Sequence, residues 1–159
     1  MDIRVSRLRS GEVIAATAAV ILLVDLLVVP WYSVNGASGV SATGWQALTV
    51  LRWLIVLTVA SALALAWFQA TRRAPALPSS LSVIATVLGV LTTLTLVWRV
   101  LISLPGPDGS SLSVGADAGA YVGLVSALAL AAGALRSLRE EDPPDPVRNE
   151  AIEVVALRG

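Results

Sequence analysis

The sequence predicts an all-α fold, an integral membrane four-helix bundle. Apolar residues make up 56% of the 159-residue chain, charged residues make up only 14%, and the mean hydropathy is +0.80. A soluble domain of this length needs more polar surface than this composition provides. Four apolar stretches are each about long enough to cross a bilayer, and they must be helical because lipid cannot satisfy backbone polar groups.

The predicted bundle occupies residues 13–138 and contains four spans, which are, in chain order, 13–31, 45–70, 82–104 and 118–138. At about 1.5 Å of rise per residue, each helix reaches about 30 Å, the thickness of the hydrocarbon core. Because the connections are short, sequential spans are expected to pack as antiparallel neighbours in an up-down-up-down bundle. A basic segment, 1–12, precedes the bundle, and the acidic, proline-containing tail 139–159 is expected to be disordered.

The distribution of arginine predicts the orientation in the membrane. All eleven basic residues are Arg, and two of them, Arg52 and Arg99, lie inside spans. The others lie before span one, between spans two and three, and at or after the end of span four, whereas the connections 32–44 and 105–117 contain none. Because positively charged segments stay in the cytoplasm, both termini are predicted to face it. Cleavage of span one as a signal peptide is the alternative, but its apolar run is unusually long and contains Asp25.

Three charged residues inside the predicted spans form the candidate special site. They are Asp25 in span one, Arg52 in span two and Arg99 in span three. Counted from the outer helix ends, all three lie at a depth of about 9–10 Å. Isolated charges at such depth cost on the order of a few kcal/mol, so we expect an ion pair with the carboxylate between two guanidiniums. Asp117, at the outer start of span four, is a candidate fourth member because the triad carries one excess positive charge.

Three interpretations of this charged cluster remain open. In the first, the ion pair is structural and sets the order and rotation of the helices. In the second, both Arg side chains extend to the outer surface, which the short Asp25 side chain cannot do. In the third, Asp25 is a proton or cation site, or the cluster binds an anion. If Asp25 contacts neither guanidinium, it is either protonated or faces a partner outside this chain.

Span four carries a stripe of small residues that predicts close helix packing. The stripe consists of residues at intervals of four positions, namely Gly115, Gly119, Gly123 and Ala127. Such spacing lets two helix backbones approach closely within a membrane. The partner is either a neighbouring helix of the same bundle or a second chain, and the spacing fits both.

Several short motifs are spread over most of the chain, and they are Ser10-Gly11-Glu12, Pro30-Trp31, Trp45-Gln46, Arg99 before Pro105-Gly106, Tyr121-Val122-Gly123-Leu124 and Arg139-Glu140-Glu141. With these motifs the chain resembles a group of uncharacterised four-span integral membrane proteins of actinobacteria. The resemblance implies four spans in a bacterial inner membrane. It brings no activity, cofactor or partner with it.

The residue types that the chain lacks limit the classes of function. The sequence contains no Cys, no His and no Lys, so it has no thiol nucleophile, no imidazole base and no thiolate metal ligand. No catalytic, cofactor-binding or metal site is therefore predicted. The basic residues are scattered and form no patch of the kind that binds nucleic acid. The sequence favours a non-enzymatic structural or interaction component of a membrane assembly, in contact with the lipid bilayer and with a membrane protein partner or a second copy at span four. The alternative is a small transporter or channel that uses Asp25, Arg52 and Arg99 as an intramembrane polar site.

Overall fold

The computed structural model describes residues 10–34, 39–71, 80–104 and 113–140. Within these ranges, four helices are long and apolar enough to cross a membrane, which confirms that part of the prediction. They are α1 (Ser10–Val28), α3 (Leu51–Thr71), α4 (Ser80–Val97) and α5 (Ala118–Glu140). Most of the basic segment 1–12, most of the tail 139–159 and the arginines between spans two and three lie outside the described residues.

The four long helices pack around a common apolar core. Helices α1 and α4 each contact both α3 and α5. The core contains fully buried side chains from every helix, among them Leu22, Ile55, Leu96 and Leu130. The outer faces of the same helices expose large apolar side chains, which is the arrangement expected when lipid surrounds a bundle.

Helices α1 and α5 make the most extensive contact in the bundle. Near one end, a Cβ atom added to Gly11 would lie 2.7 Å from the carbonyl oxygen of Gly133. Near the other end, a Cβ added to Gly123 would lie 2.9 Å from Oδ2 of Asp25. The start of α1 therefore lies beside the end of α5, and these two helices run antiparallel with their backbones in close approach.

A small antiparallel sheet lies where α1 ends and α5 begins, and we call this end of the bundle the sheet end. The central strand β1 (Pro30–Val34) pairs with β2 (Ser41–Thr43) on one side and with β3 (Val114–Ala116) on the other. The sheet was not predicted, and it adds a three-stranded cap to a fold that is mostly helical, as expected. Strands of three to five residues are too short to produce a recognisable alternating pattern in the sequence.

Two spans also end differently from the prediction near the sheet. Span one was predicted to reach residue 31, but α1 ends at Val28 because Pro30 fixes the backbone and lacks an N–H donor. Span three was predicted as one helix over 82–104; the candidate span runs from Ser82 to Ile102, and its last turn, Trp98–Ile102, is π-helical rather than α-helical. Span four starts where it was predicted, at Ala118.

Span two, predicted as one helix over 45–70, is interrupted. A single turn, α2 (Gly44–Ala47), comes first, and α3 begins only at Leu51. The side-chain Oε1 of Gln46 accepts a hydrogen bond from the backbone N–H of Thr43 at 3.2 Å, which starts α2 as a separate capped turn. Leu48 then leaves the helical region, with φ −104° and ψ 79°. The interruption places Arg52 in the first turn of α3.

Candidate functional site

Asp25 lies on the buried face of α1, one turn before the helix ends. The spacing of Leu22, Asp25 and Leu26 places all three on one face, and Asp25 is 2% exposed. Both of its carboxyl oxygens are buried, and neither has a hydrogen-bond partner among the residues that the structure describes. A buried carboxylate without a partner costs several kcal/mol. Asp25 is therefore unfavourable for stability unless a proton or a ligand neutralises it.

Trp31 closes the space beside Asp25. Pro30 turns the chain out of α1 into β1, and the Trp31 side chain that follows is 0% exposed. Its indole Nε1–H donates a hydrogen bond to the backbone carbonyl of Asp25 at 3.3 Å. On the α5 side, Gly123 leaves room for the ring, because a Cβ at this position would overlap Cζ2 of Trp31 and lie 2.6 Å from Cη2. Trp31 and Gly123 together enclose the carboxyl group.

The two arginines do not donate hydrogen bonds to Asp25. Arg52 Nη1 donates to the backbone carbonyl of Trp45 at 3.3 Å, and Arg99 Nη1 donates to that of Ser103 at 3.2 Å. In the part of the chain that the structure describes, neither carboxyl oxygen of Asp25 therefore accepts the predicted hydrogen bonds from a guanidinium. The reason for Arg52 is the interruption at residues 48–50, which places it in the first turn of α3 rather than seven residues inside a helix. Its predicted depth does not apply.

Aromatic rings surround the Arg52 guanidinium instead. Its Cζ lies 5.0 Å from the ring centroid of Trp45 and 5.6 Å from that of Trp53. The two rings pack edge to face, with centroids 5.7 Å apart. Cation–π attraction of this kind stabilises a guanidinium without a carboxylate. The Nε atom of Arg52 is nevertheless buried and has no acceptor among the described residues.

Asp117 has a structural role at the start of α5. Its Oδ1 accepts a hydrogen bond from the backbone N–H of Ala118 at 2.8 Å. Its own backbone N–H donates to the carbonyl of Trp31 at 2.8 Å, and its carbonyl accepts from Ala120 at 3.0 Å. These bonds join β1 to the first turn of α5. None of them involves a guanidinium, so Asp117 is not seen as a fourth member of a charged cluster.

The stripe of small residues on span four packs largely against the same chain. A Cβ on Gly119 would lie 2.5 Å from the carbonyl oxygen of Pro30, and Gly123 faces Trp31 and Asp25. Ala127 is 1% exposed and belongs to the bundle core. Gly115 lies outside the helix, in β3, where it pairs with Ser33. The structure thus supports the neighbour within the bundle as the partner of this stripe.

The buried part of the bundle also contains a pair of threonines and one tyrosine. Thr58 on α3 and Thr92 on α4 share a hydrogen bond of 2.7 Å between their hydroxyl groups, which links the two helices. Tyr32, beside Trp31 in β1, is 3% exposed, and its hydroxyl has no partner among the described residues. Burial raises the pKa of this hydroxyl above its ordinary value, and the positive charge of Arg99 partly offsets the rise. Tyr32 is therefore a neutral O–H donor at physiological pH.

The cavities and grooves that the described residues line include the following three. One of about 370 Å³ lies between α1 and α5, and one of about 250 Å³ lies between α4 and α5. The third, of about 280 Å³, lies at the sheet end between residues 47–51 and the end of α4. Asp25 lines none of the three. No group of three or more acidic side chains within the described ranges could hold a metal ion.

The geometry predicts that Asp25→Asn is tolerated. The free energy of unfolding in detergent should change by no more than about 1 kcal/mol, because the exchange removes a buried charge without removing a hydrogen-bonded partner. Denaturant unfolding of the purified variant measures this. Loss of a buried ion pair would instead lower the free energy of unfolding by about 3–5 kcal/mol. A loss of that size would indicate that Asp25 does pair with an arginine.

Comparisons with protein-family models, with curated proteins and with solved structures found no match for this chain.

Proposed function

We propose that the chain is a non-catalytic integral membrane protein, a structural or interaction component of a membrane assembly. One observation carries the proposal: the carboxyl group of Asp25 is enclosed by Trp31 and by the close contact of α1 with α5. A polar path for a solute would have to reach this group, which lines none of the cavities described above. The apolar outer faces of the helices offer surface to lipid and to other membrane helices.

The proposed location is the bacterial cytoplasmic membrane, with four crossings and both termini in the cytoplasm. The arginine distribution supports this orientation, since the connections at the sheet end contain no Arg. The antiparallel contact of α1 with α5 supports an up-down-up-down bundle, in which the first and fourth helices run in opposite directions. The sheet end then faces the outside.

Single cysteines test the orientation, because the chain has no native Cys. Cysteine at Ser38 or Ser110 should react with an impermeant thiol reagent in intact cells, whereas cysteine at Ser79 should react only after the membrane is opened. All three positions lie outside the described residues, in the predicted connections. Labelling of Ser79→Cys in intact cells would refute the orientation.

Photo-crosslinking tests the proposed role in an assembly. A photoreactive amino acid is placed at one outward position on each long helix. The positions are Leu27, Leu57, Leu94 and Val125, whose side chains are 49%, 56%, 63% and 66% exposed, respectively. At least one position should give a discrete protein adduct in native membranes. The core positions Leu22 and Leu130, both 0% exposed, are the matched controls and should give none. Absence of adducts at every outward position, with a monomer after purification, would contradict the proposal.

A small transporter or channel is the second candidate, and one observation favours it. The carboxyl group of Asp25 is buried without a hydrogen-bond partner in the described part of the chain, as in a site that binds and releases a proton or cation. This alternative predicts that the purified chain carries a flux in liposomes. Asp25→Asn should then fold normally and abolish the flux, whereas an assembly component shows no flux in either form.

A further inference from the structure

The cavity of about 280 Å³ at the sheet end differs in character from the two grooves beside α5. Residues 47–51 form one wall, and Thr95, Trp98 and Arg99 form the other. Apolar side chains with one or two hydroxyl groups line the other two grooves, whereas the described wall of this cavity contains a guanidinium and no carboxylate. Its chemistry is therefore that of a site for an anion.

One wall of this cavity carries the Arg99 guanidinium, with which the Tyr32 hydroxyl interacts electrostatically. A guanidinium has five N–H groups, and the described bond of Arg99 uses one nitrogen, Nη1, toward Ser103. The buried hydroxyl of Tyr32, which interacts electrostatically with Arg99, lacks a partner within the described ranges. The Thr95 hydroxyl already donates to the carbonyl of Leu91 at 2.7 Å, so it adds no free donor. Among the described residues the Tyr32 hydroxyl thus lacks an acceptor, which a bound anion would provide.

The start of α3 adds positive potential on the other wall. Leu51, the first residue of this 21-residue helix, lines the cavity, and Arg52 follows it directly. The N-terminal end of a helix carries a partial positive charge and favours anions. Arg52 also has a buried Nε without an acceptor in the described part of the chain. The Arg99 guanidinium and a helix start therefore lie at one cavity of the sheet end, and Arg52 follows the lining residue Leu51 in sequence.

We propose that this cavity binds a phosphate group, with Arg99 as its main ligand. A phosphate presents several acceptor oxygens, and the planar guanidinium pairs with two of them at once. The group can come from an anionic lipid headgroup, whose glycerol and acyl parts the apolar wall at Trp98 would contact, or from free phosphate. The proposal does not depend on the role of the chain in an assembly.

Binding of dioleoylphosphatidylglycerol and of inorganic phosphate to the purified full-length chain in detergent tests the site. Dioleoylglycerol, which has the same acyl chains without phosphate, is the matched ligand control. Arg99→Gln should weaken phosphatidylglycerol binding about tenfold or more, the loss expected for charge-assisted hydrogen bonds. Tyr32→Phe should weaken it less, because the charge remains. Arg139→Gln, which changes an exposed guanidinium at the opposite end of α5, should leave binding unchanged.

The outcomes separate the two sources of phosphate. Arg99-dependent binding of phosphatidylglycerol that inorganic phosphate does not displace supports a lipid headgroup, and displacement by inorganic phosphate supports a free anion. Equal losses of phosphatidylglycerol binding for Arg99→Gln and Arg139→Gln would show that binding comes from general charge attraction. That result would overturn the proposed site. Equal binding of dioleoylglycerol would overturn it as well.

If Arg99→Gln fails to fold, chemical modification of the arginines in the unaltered chain tests the phosphate site. Phenylglyoxal modifies accessible arginines, and mass spectrometry reads the extent at each position. Phosphatidylglycerol should protect Arg99 several-fold more than Arg139, since only the former lies in the proposed site. Equal modification of Arg99 with and without the lipid and with and without phosphate would overturn the proposal.

Discussion

Replacing Trp31 by alanine is expected to lower the free energy of unfolding by about 3–5 kcal/mol, the usual cost of removing a large buried aromatic side chain. The Trp31 ring is 0% exposed, fills the space between α1 and α5, and donates a hydrogen bond to the Asp25 carbonyl. Its removal would leave a cavity beside the carboxyl group of Asp25. Most of the loss comes from packing contacts, which lipid does not replace inside the bundle.

Denaturant unfolding of the purified protein in detergent measures this effect, with Trp67→Ala as the matched control. Trp67 lies on α3 with 52% of its side chain exposed, so its truncation should change stability by no more than about 0.5 kcal/mol. Similar losses for the two variants would mean that Trp31 is not enclosed as described. The Trp31 variant should also let water-soluble probes approach Asp25.

Replacing Gly123 by leucine is the second substitution with a large expected effect. A Cβ at this position would overlap Cζ2 of Trp31 and lie 2.9 Å from Oδ2 of Asp25. Neither neighbour can turn away, because both side chains are enclosed in the core. Overpacking of this kind costs about 1–3 kcal/mol or more, so Gly123→Leu should lose at least about 3 kcal/mol or fail to fold. Gly123→Ala should lose less, because only the Cβ clash remains.

Two measurements test the Gly123 substitutions. They are thermal unfolding in detergent and the size of the purified particle. Ala132→Leu is the control on the same helix, because Ala132 is exposed on the outer face and a longer side chain has space there. We expect this control to keep its stability within about 0.5 kcal/mol. If Gly123→Leu is as stable as Ala132→Leu, the contact between α1 and α5 is not as close as the structure shows.

The candidate site was predictable from the sequence only in part. Asp25 stands out because a carboxylate within a long apolar run is costly wherever the run lies. Its neighbours do not stand out, since Trp31 reaches it through a turn at Pro30 and Gly123 belongs to a helix almost a hundred residues later. The pairing of Asp25 with arginines followed from assumed straight helices. That assumption fails at residues 48–50 for Arg52 and at the π-helical turn for Arg99.

The sequence by itself determined that four long apolar helices form, because composition and length decide whether a segment is stable in lipid. Only the tertiary structure decided the three-stranded cap, the interruption before α3 and the enclosure of Asp25. The physical reason is the range of the interactions. Hydropathy is a local property of each segment, whereas the pairing of β1 with β3 and the contact of Gly123 with Trp31 depend on groups that meet only when distant segments pack.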